Sequence, residues 1–240
     1  MIIHHCRYLL PASALLSILA LNSARAESPP NVMFGGIQGS ARSAYTYLGA
    51  ITPIAGAELG MGPYGKALIS WLDYRYDSSE LGPVTEINAR GPGLELGGGY
   101  AWRFERGTVD LSATVGYRDL RVTPFIPTDQ KSGGVLTLNP QVAASTRLSD
   151  AMDADLLANY SIGLGSSWAR TRIGAKPAGS WRAGVEAIFV DGSNYSTRQQ
   201  GVFVSLPIDA TTSLEFSVGR AKPSGEAASA YAGISFARNF

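Results

Sequence analysis

Residues 93–104 read GLELGGGYAWRF. On an extended chain, where successive side chains point to opposite faces, Leu94, Leu96, Gly98, Tyr100, Trp102 and Phe104 fall together, with Glu95, Gly97, Gly99, Ala101 and Arg103 opposite them. One face is apolar and aromatic, the other small or charged. The code continues with Val109, Leu111, Ala113, Val115 and Tyr117 against Asp110, Ser112, Thr114, Gly116 and Arg118. It returns in Trp181, Ala183, Val185, Ala187 and Phe189 against Arg182, Gly184, Glu186 and Ile188, and again in Leu214, Phe216 and Val218 against Ser213, Glu215, Ser217 and Gly219. Sustained helical periodicity is absent. The fold class is therefore all-β.

Both a soluble sandwich and a membrane barrel alternate in this way. A sandwich shows water a face rich in Lys, Glu and Thr, whereas here the polar face is Gly, Ala and Ser with isolated Arg and Glu. Such a face suits a crowded, wet lumen. Aromatic residues also gather at segment ends (Tyr100, Trp102, Phe104, Tyr117, Trp181, Phe189, Phe236, Phe240), where interfacial girdles would place them. The pattern predicts a single antiparallel transmembrane β-barrel in the outer membrane of a Gram-negative bacterium, in contact with outer-membrane lipid. A periplasmic β-sandwich that binds a ligand is the alternative.

Twelve strands are expected, at about 32–39, 43–52, 63–76, 91–104, 108–121, 133–147, 152–163, 167–176, 180–190, 199–206, 211–220 and 229–240; merging or splitting a hairpin would give ten or fourteen. In the last segment Ala232, Ile234, Phe236 and Phe240 share one face, and Gly233, Ser235, Ala237 and Asn239 the other. Arg238 interrupts the apolar face where its stem can snorkel. An amphipathic strand closing on Phe236 and Phe240 is the form of an outer-membrane assembly signal, and closure leaves no strand edge unpaired in hydrocarbon.

Residues 1–26 are of another kind. Arg7, the apolar run Leu9 to Leu21 and Ala24-Arg25-Ala26 make up a secretory signal with its cleavage site, so the expected domains are a signal peptide over 1–26 and a barrel over 27–240. The run is too short to span a bilayer as a helix, and no later stretch reaches 18 consecutive apolar residues. Cleavage also removes His4, His5 and Cys6, the only histidines and cysteine. Disulfides, imidazole bases and His/Cys metal sites are then excluded, and no cofactor is expected. The 20 basic residues include Arg7 and Arg25, which leaves 18 against 19 acidic ones and no electrostatic case for nucleic acid.

Glu95, Asp110, Asp155, Glu186 and Glu215 are expected to face the lumen, as are Arg103, Arg118, Arg170, Arg172 and Arg182. Paired carboxylates could in principle hydrolyse a glycosidic bond. Acids facing this many arginines read instead as a satisfied ion-pair network lining the wall, and the protein is not expected to be an enzyme. Gly97-Gly98-Gly99 lacks a following helix and reads as a strand feature. Asp191-Gly192-Ser193-Asn194 is ordinary turn chemistry, and Pro124, Pro127 and Asp129 stiffen one external loop.

Several stretches, in order along the chain, resemble the BcsS-type cellulose biosynthesis proteins: SARSAYTYLGA at 40–50, Gly-Gly-Tyr-Ala-Trp at 98–102, Gly-Tyr-Arg-Asp at 116–119 leading to Pro-Thr-Asp at 127–129, and Trp168 through Arg172-Ile173-Gly174. Gly184-Val185-Glu186, Gly192-Ser193-Asn194-Tyr195, Arg198 and Gly201 extend the likeness. The resemblance implies an outer-membrane barrel with an accessory role in making or exporting cellulose, with cellulose or cellulose-synthase components as partners. Two forms of that role are open, an organiser of the secretion site or a narrow gated channel; a general porin-like channel is the alternative.

Overall fold

In the computed structural model the described residues are 31–78, 82–125, 132–176, 181–192 and 195–240. They form twelve strands: β1 (Val32–Ser40), β2 (Ser43–Pro53), β3 (Gly62–Ser78), β4 (Thr85–Phe104), β5 (Gly107–Thr123), β6 (Gly133–Arg147), β7 (Met152–Ser161), β8 (Ser166–Ala175), β9 (Arg182–Asp191), β10 (Ser196–Pro207), β11 (Thr212–Pro223) and β12 (Ser229–Asn239). Each strand pairs antiparallel with its chain neighbours, and β12 returns to β1, so the sheet is a closed barrel and not a sandwich. The even strand number puts both ends of the barrel chain on one rim. The segment expected to be a signal peptide lies outside the described residues, as do Pro127, Asp129, Ser193 and Asn194.

The burial pattern is inverted relative to a soluble protein. Leu96, Phe104, Val115 and Tyr117 are 52–62% exposed, while Arg118, Arg172 and Glu186 are at most 7% exposed. Large apolar side chains standing outward in rows, with charge shielded within, are stable only where hydrocarbon replaces water around the belt. The alternation read from the sequence therefore fixes which face is which. Phe236 and Phe240 stand on the outward face of the terminal strand, and Phe240 exchanges backbone hydrogen bonds with Asn31 at 2.8 and 2.9 Å.

Two strand starts differ from expectation by more than two residues. β10 begins at Ser196 instead of 199, and β4 begins at Thr85 instead of 91. In β4 the sequence Arg90-Gly91-Pro92-Gly93 looks like a break, yet the strand runs through it. Pro92 lacks a donor, and the β4–β5 ladder steps from Arg90↔Arg121 to Gly93↔Arg118 with no pairs between, while the β3 side stays paired through Trp71↔Pro92 and Leu72↔Gly91. A Cβ at Gly91 would collide with the Asp119 carbonyl oxygen, so glycine is what lets the two strands approach here. The added rungs carry inward-facing Ile87 and Ala89, which pack with Tyr76, Leu120 and Val122 into an apolar cluster, joined by Tyr74, at the barrel end away from the termini.

The β10–β11 turn is closed by one side chain. The Asp209 carboxylate accepts from the Thr211 amide (2.7 Å), the Thr211 hydroxyl (2.8 Å) and the Thr212 amide (2.8 Å). The amide of Thr211 leads the bonds that hold its pKa down at about 2.

Gly91→Ala should cost about 1–3 kcal/mol of stability by forcing strands apart, whereas Gly65→Ala, whose Cβ would meet only the Thr52 carbonyl at 3.9 Å, should be close to neutral; urea unfolding in micelles measures both. Asp209 titrates lower folded than unfolded, so its contribution is complete above the ordinary carboxylate pKa near 4 and is lost as pH falls toward 2. The stability gap between wild type and Asp209→Ala should accordingly shrink over that window. A gap that stays constant from pH 5 to pH 2 would contradict the assignment.

Candidate functional site in the barrel interior

Period-two alternation sends the even residues of β8 and β9 and the odd residues of β11 and β12 inward, and the closed sheet brings them face to face. Arg172 on β8 is the centre. Its guanidinium donates to the Glu186 carboxylate on β9 (Nε 2.8 Å, Nη2 2.7 Å) and to the Glu215 carboxylate on β11 (Nη1 2.8 Å, Nη2 2.8 Å). Tyr231 on β12 donates its hydroxyl to the other Glu186 oxygen at 2.8 Å, and the Ser235 hydroxyl reaches Glu215 at 3.4 Å. Phe203 on β10, 1% exposed, lies beneath the cations, with the Arg172 and Arg182 Cζ atoms 4.5 and 4.7 Å from its ring centre. Arg182 in turn holds Asp155 (2.6 Å) and Asp153 (Nε 2.6 Å) on β7. Gly174 makes room for that fork, since a Cβ there would collide with the Arg182 Nε.

The facing wall is polar but divided into smaller groups. The Thr114 hydroxyl donates to Glu95 at 2.7 Å, and the Asn139 amide reaches Thr114 (3.4 Å) and Thr137 (3.0 Å). Tyr64 donates to Asp110 at 2.7 Å, and Lys66 to Gln141 at 2.9 Å. Arg118 donates to the Ser70 hydroxyl (2.9 Å) and the Gly91 carbonyl (3.4 Å).

Of the charged residues expected to face the lumen, Arg172, Glu186 and Glu215 converge on one network, and Arg182 with Asp155 joins it through Phe203. Glu95, Asp110 and Arg118 sit in separate groups on the other wall. Arg170 is partly buried, with its guanidinium 5.7 Å from the Trp168 ring and its Nε shielded and unpartnered. Arg103 lies at the rim that carries the termini, half exposed, donating to the Leu59 carbonyl at 2.7 Å and facing Glu58 at 3.7 Å. Around this rim a cavity of about 490 Å³ is lined by Arg103, Arg106, Arg147, Asp153, Lys176 and Arg182.

Further residues complete the interior that the sequence did not mark. Tyr231 shares the parity of Gly233 and Ser235, so extending the terminal alternation by one rung would have found it. Phe203 is a lone ring on the face of Gln199, Gly201 and Ser205, an irregularity that marks a cation platform. Tyr195, on the β9–β10 loop, meets the Tyr74 ring of the opposite wall at 4.8 Å between centres. Gln38 on β1 likewise donates to Gln199 on β10 at 2.7 Å. No local pattern signals these long-range partners.

A model of the family described as "Cellulose biosynthesis protein BcsS" matches residues 32–240. None of the curated proteins matches the sequence. Among solved structures the fold is similar to the KdgM porin in complex with disordered oligogalacturonate (TM-score 0.52, 12% identity, 87% of this chain and 99% of that chain). It is also similar to the COG4313 outer membrane channel from Pseudomonas putida F1 (TM-score 0.53, 12% identity, 92% and 98%). A third likeness is to a TodX deltaS2S3 mutant monoaromatic hydrocarbon channel (TM-score 0.54, 9% identity, 90% and 91%). At these identities the likeness is one of fold, the closed β-barrel of outer-membrane channels.

The network makes a sharp demand on its partners. Arg172→Met strands the fully buried Glu186 carboxylate beside Glu215 and should destabilise the barrel by about 3–5 kcal/mol. Adding Glu186→Gln and Glu215→Gln should return most of that loss. Denaturant unfolding in micelles compares the two, and a triple variant no more stable than Arg172→Met would show that the charges are not coupled.

Proposed function

This chain belongs to the BcsS family of cellulose biosynthesis proteins, and from that premise we propose that its barrel organises the cellulose secretion site in the outer membrane, with its own lumen held shut. The observation that carries this reading is the bracing of the interior by side chains from strands three apart and, at one end, by rings from opposite walls. Lys66 and Gln141 join β3 to β6, Arg172 and Glu215 join β8 to β11, Gln38 and Gln199 join β1 to β10, and the Tyr74 and Tyr195 rings meet from opposite walls. A glucan chain has a cross-section of several ångströms and needs these contacts opened along the whole barrel. The acids that could act as glycosidic catalysts are occupied, Glu186 by Arg172 and Tyr231 and Glu215 by Arg172, which supports a non-catalytic role.

One observation favours the second reading, a narrow gated channel. Tyr195 sits on a loop, so its contact with Tyr74 can open without breaking a strand ladder. The two readings separate in one experiment. Cys6 is the only cysteine of the sequence, so Tyr74→Cys with Tyr195→Cys can be bridged selectively by a short bis-maleimide in cells that make cellulose. The organiser reading expects cellulose output to survive bridging and expects the purified wild type to give no stable conductance steps in planar bilayers. Output that falls on bridging to the level of a deletion strain rejects the organiser in favour of the gated channel.

A further inference from the structure

The outward face of β10 and β11 changes character within one rung. From the rim that carries the termini, the cross-strand pairs are Leu206↔Leu214, Val204↔Phe216 and Val202↔Val218, then Gln200↔Arg220 and Arg198↔Lys222. Val202 and Val218 are more than half exposed, as lipid-facing side chains are. Directly above them stand three exposed cations. Arg198 and Lys222 are opposite each other, an arrangement that destabilises a sheet unless an anion lies between them.

Among the described residues no carboxylate comes within ion-pairing distance of Arg198, Arg220 or Lys222. Asp191, the acid nearest in register, lies one rung higher, opposite Ser196, and Glu226 on the β11–β12 loop is taken by Arg42 at 2.9 Å. The flanking positions are small or apolar: Ala187 beside Gln200, Ala230 beside Arg220, Phe189 beside Arg198. Arg220 therefore has the neutral Gln200 on one side and Ala230 on the other. At corresponding heights the other walls differ. Asp73 stands opposite Arg90, Asp119 lies 3.9 Å from Arg121, and β12 and β1 present Ala232 and Gly39.

With the barrel's ends on the periplasmic rim, these rungs meet the outer leaflet at its headgroup level. We infer that Arg198, Arg220 and Lys222 bind the phosphates of an outer-leaflet lipid of the lipid A type, whose acyl chains lie along Val185, Val202 and Val218. Cations at headgroup height attract anionic lipid, each by several-fold in affinity, and the apolar rungs beneath extend the contact into hydrocarbon. This site does not depend on whether the lumen opens.

The test uses the whole barrel folded in detergent, its folding checked by heat-modifiable gel mobility, with bound lipid counted by native mass spectrometry. Bisphosphorylated lipid A should bind wild type, and R198Q/R220Q/K222Q should bind it about 100-fold more weakly, three such cations each contributing several-fold. R90Q/R121Q, on the other wall, should bind as wild type does, and dephosphorylated lipid A should bind wild type as poorly as the triple variant binds lipid A. Equal binding of lipid A by wild type and triple variant overturns the site. So does equal binding of the dephosphorylated lipid, an equal loss in R90Q/R121Q, or displacement of the lipid by inorganic phosphate alone at comparable concentration. If the triple variant fails the mobility check, R220Q and K222Q singly should each lose several-fold, and the absence of a loss in both overturns the site as well.

Discussion

The register pairs between β1 and β12, from Val32↔Asn239 to Ser40↔Tyr231, remove the last row of unpaired backbone donors and acceptors from a sheet that contacts hydrocarbon. Each group left open there costs several kcal/mol, so a sheet of this composition has no stable open form in a bilayer. Closure then fixes everything else. A slip of one residue at the seam would turn Tyr231, Gly233 and Ser235 toward lipid and Ile234 and Phe236 inward. The same slip in β8 would carry Arg172 to the lipid face, where a cation near the midplane costs about 2–4 kcal/mol. Backbone satisfaction and side-chain sorting therefore select the same register.

A twelve-strand circumference is short enough that side chains of strands three apart touch. That proximity turns a set of inward charges into one network. Arg172 reaches β9 and β11 at once, and Tyr231 reaches back from β12 to β9. Desolvating these groups would be prohibitive singly; together each donor finds an acceptor. The small residues on the polar face have the same origin. Gly174 and Gly201 stand where a Cβ would strike the Arg182 guanidinium or the Tyr231 hydroxyl, so glycine content and charged side chains are two aspects of one packing problem.

How much of this was legible in the sequence follows from the range of the forces. Period-two alternation is local, so twelve strands, their faces and the inward placement of Glu186 and Arg172 could be read from Trp168 to Phe189 alone. The start of β4 could not, because Gly91-Pro92-Gly93 carries a turn signature that β3 pairing overrides. Arg103 has the right parity for the interior but lies so near the rim that the β2–β3 turn captures it. The meetings of Tyr74 with Tyr195 and of Gln38 with Gln199 join positions more than a hundred residues apart. Only closure brings them together, and closure leaves no trace at either position.

The two mouths of the barrel are unlike, and that asymmetry bears on what the molecule does. At the end away from the termini one side of the interior is apolar and aromatic. Tyr76, Ile87, Ala89, Leu120 and Val122 fill one side, and Tyr74 meets Tyr195 across the opening. At the rim that carries the termini the interior opens into a charged cavity of about 490 Å³, where Arg106 and Arg147 stand beside the Arg182–Asp153–Asp155 cluster. A conduit for a neutral, hydroxyl-rich chain calls for continuous hydrogen-bonding and stacking surface from one mouth to the other. This interior offers charge at one end and an apolar cluster with a Tyr–Tyr contact at the other. The proposed organiser role rests on this contrast: a charged mouth can meet a protein partner, and an apolar far end resists the passage of a hydroxyl-rich chain.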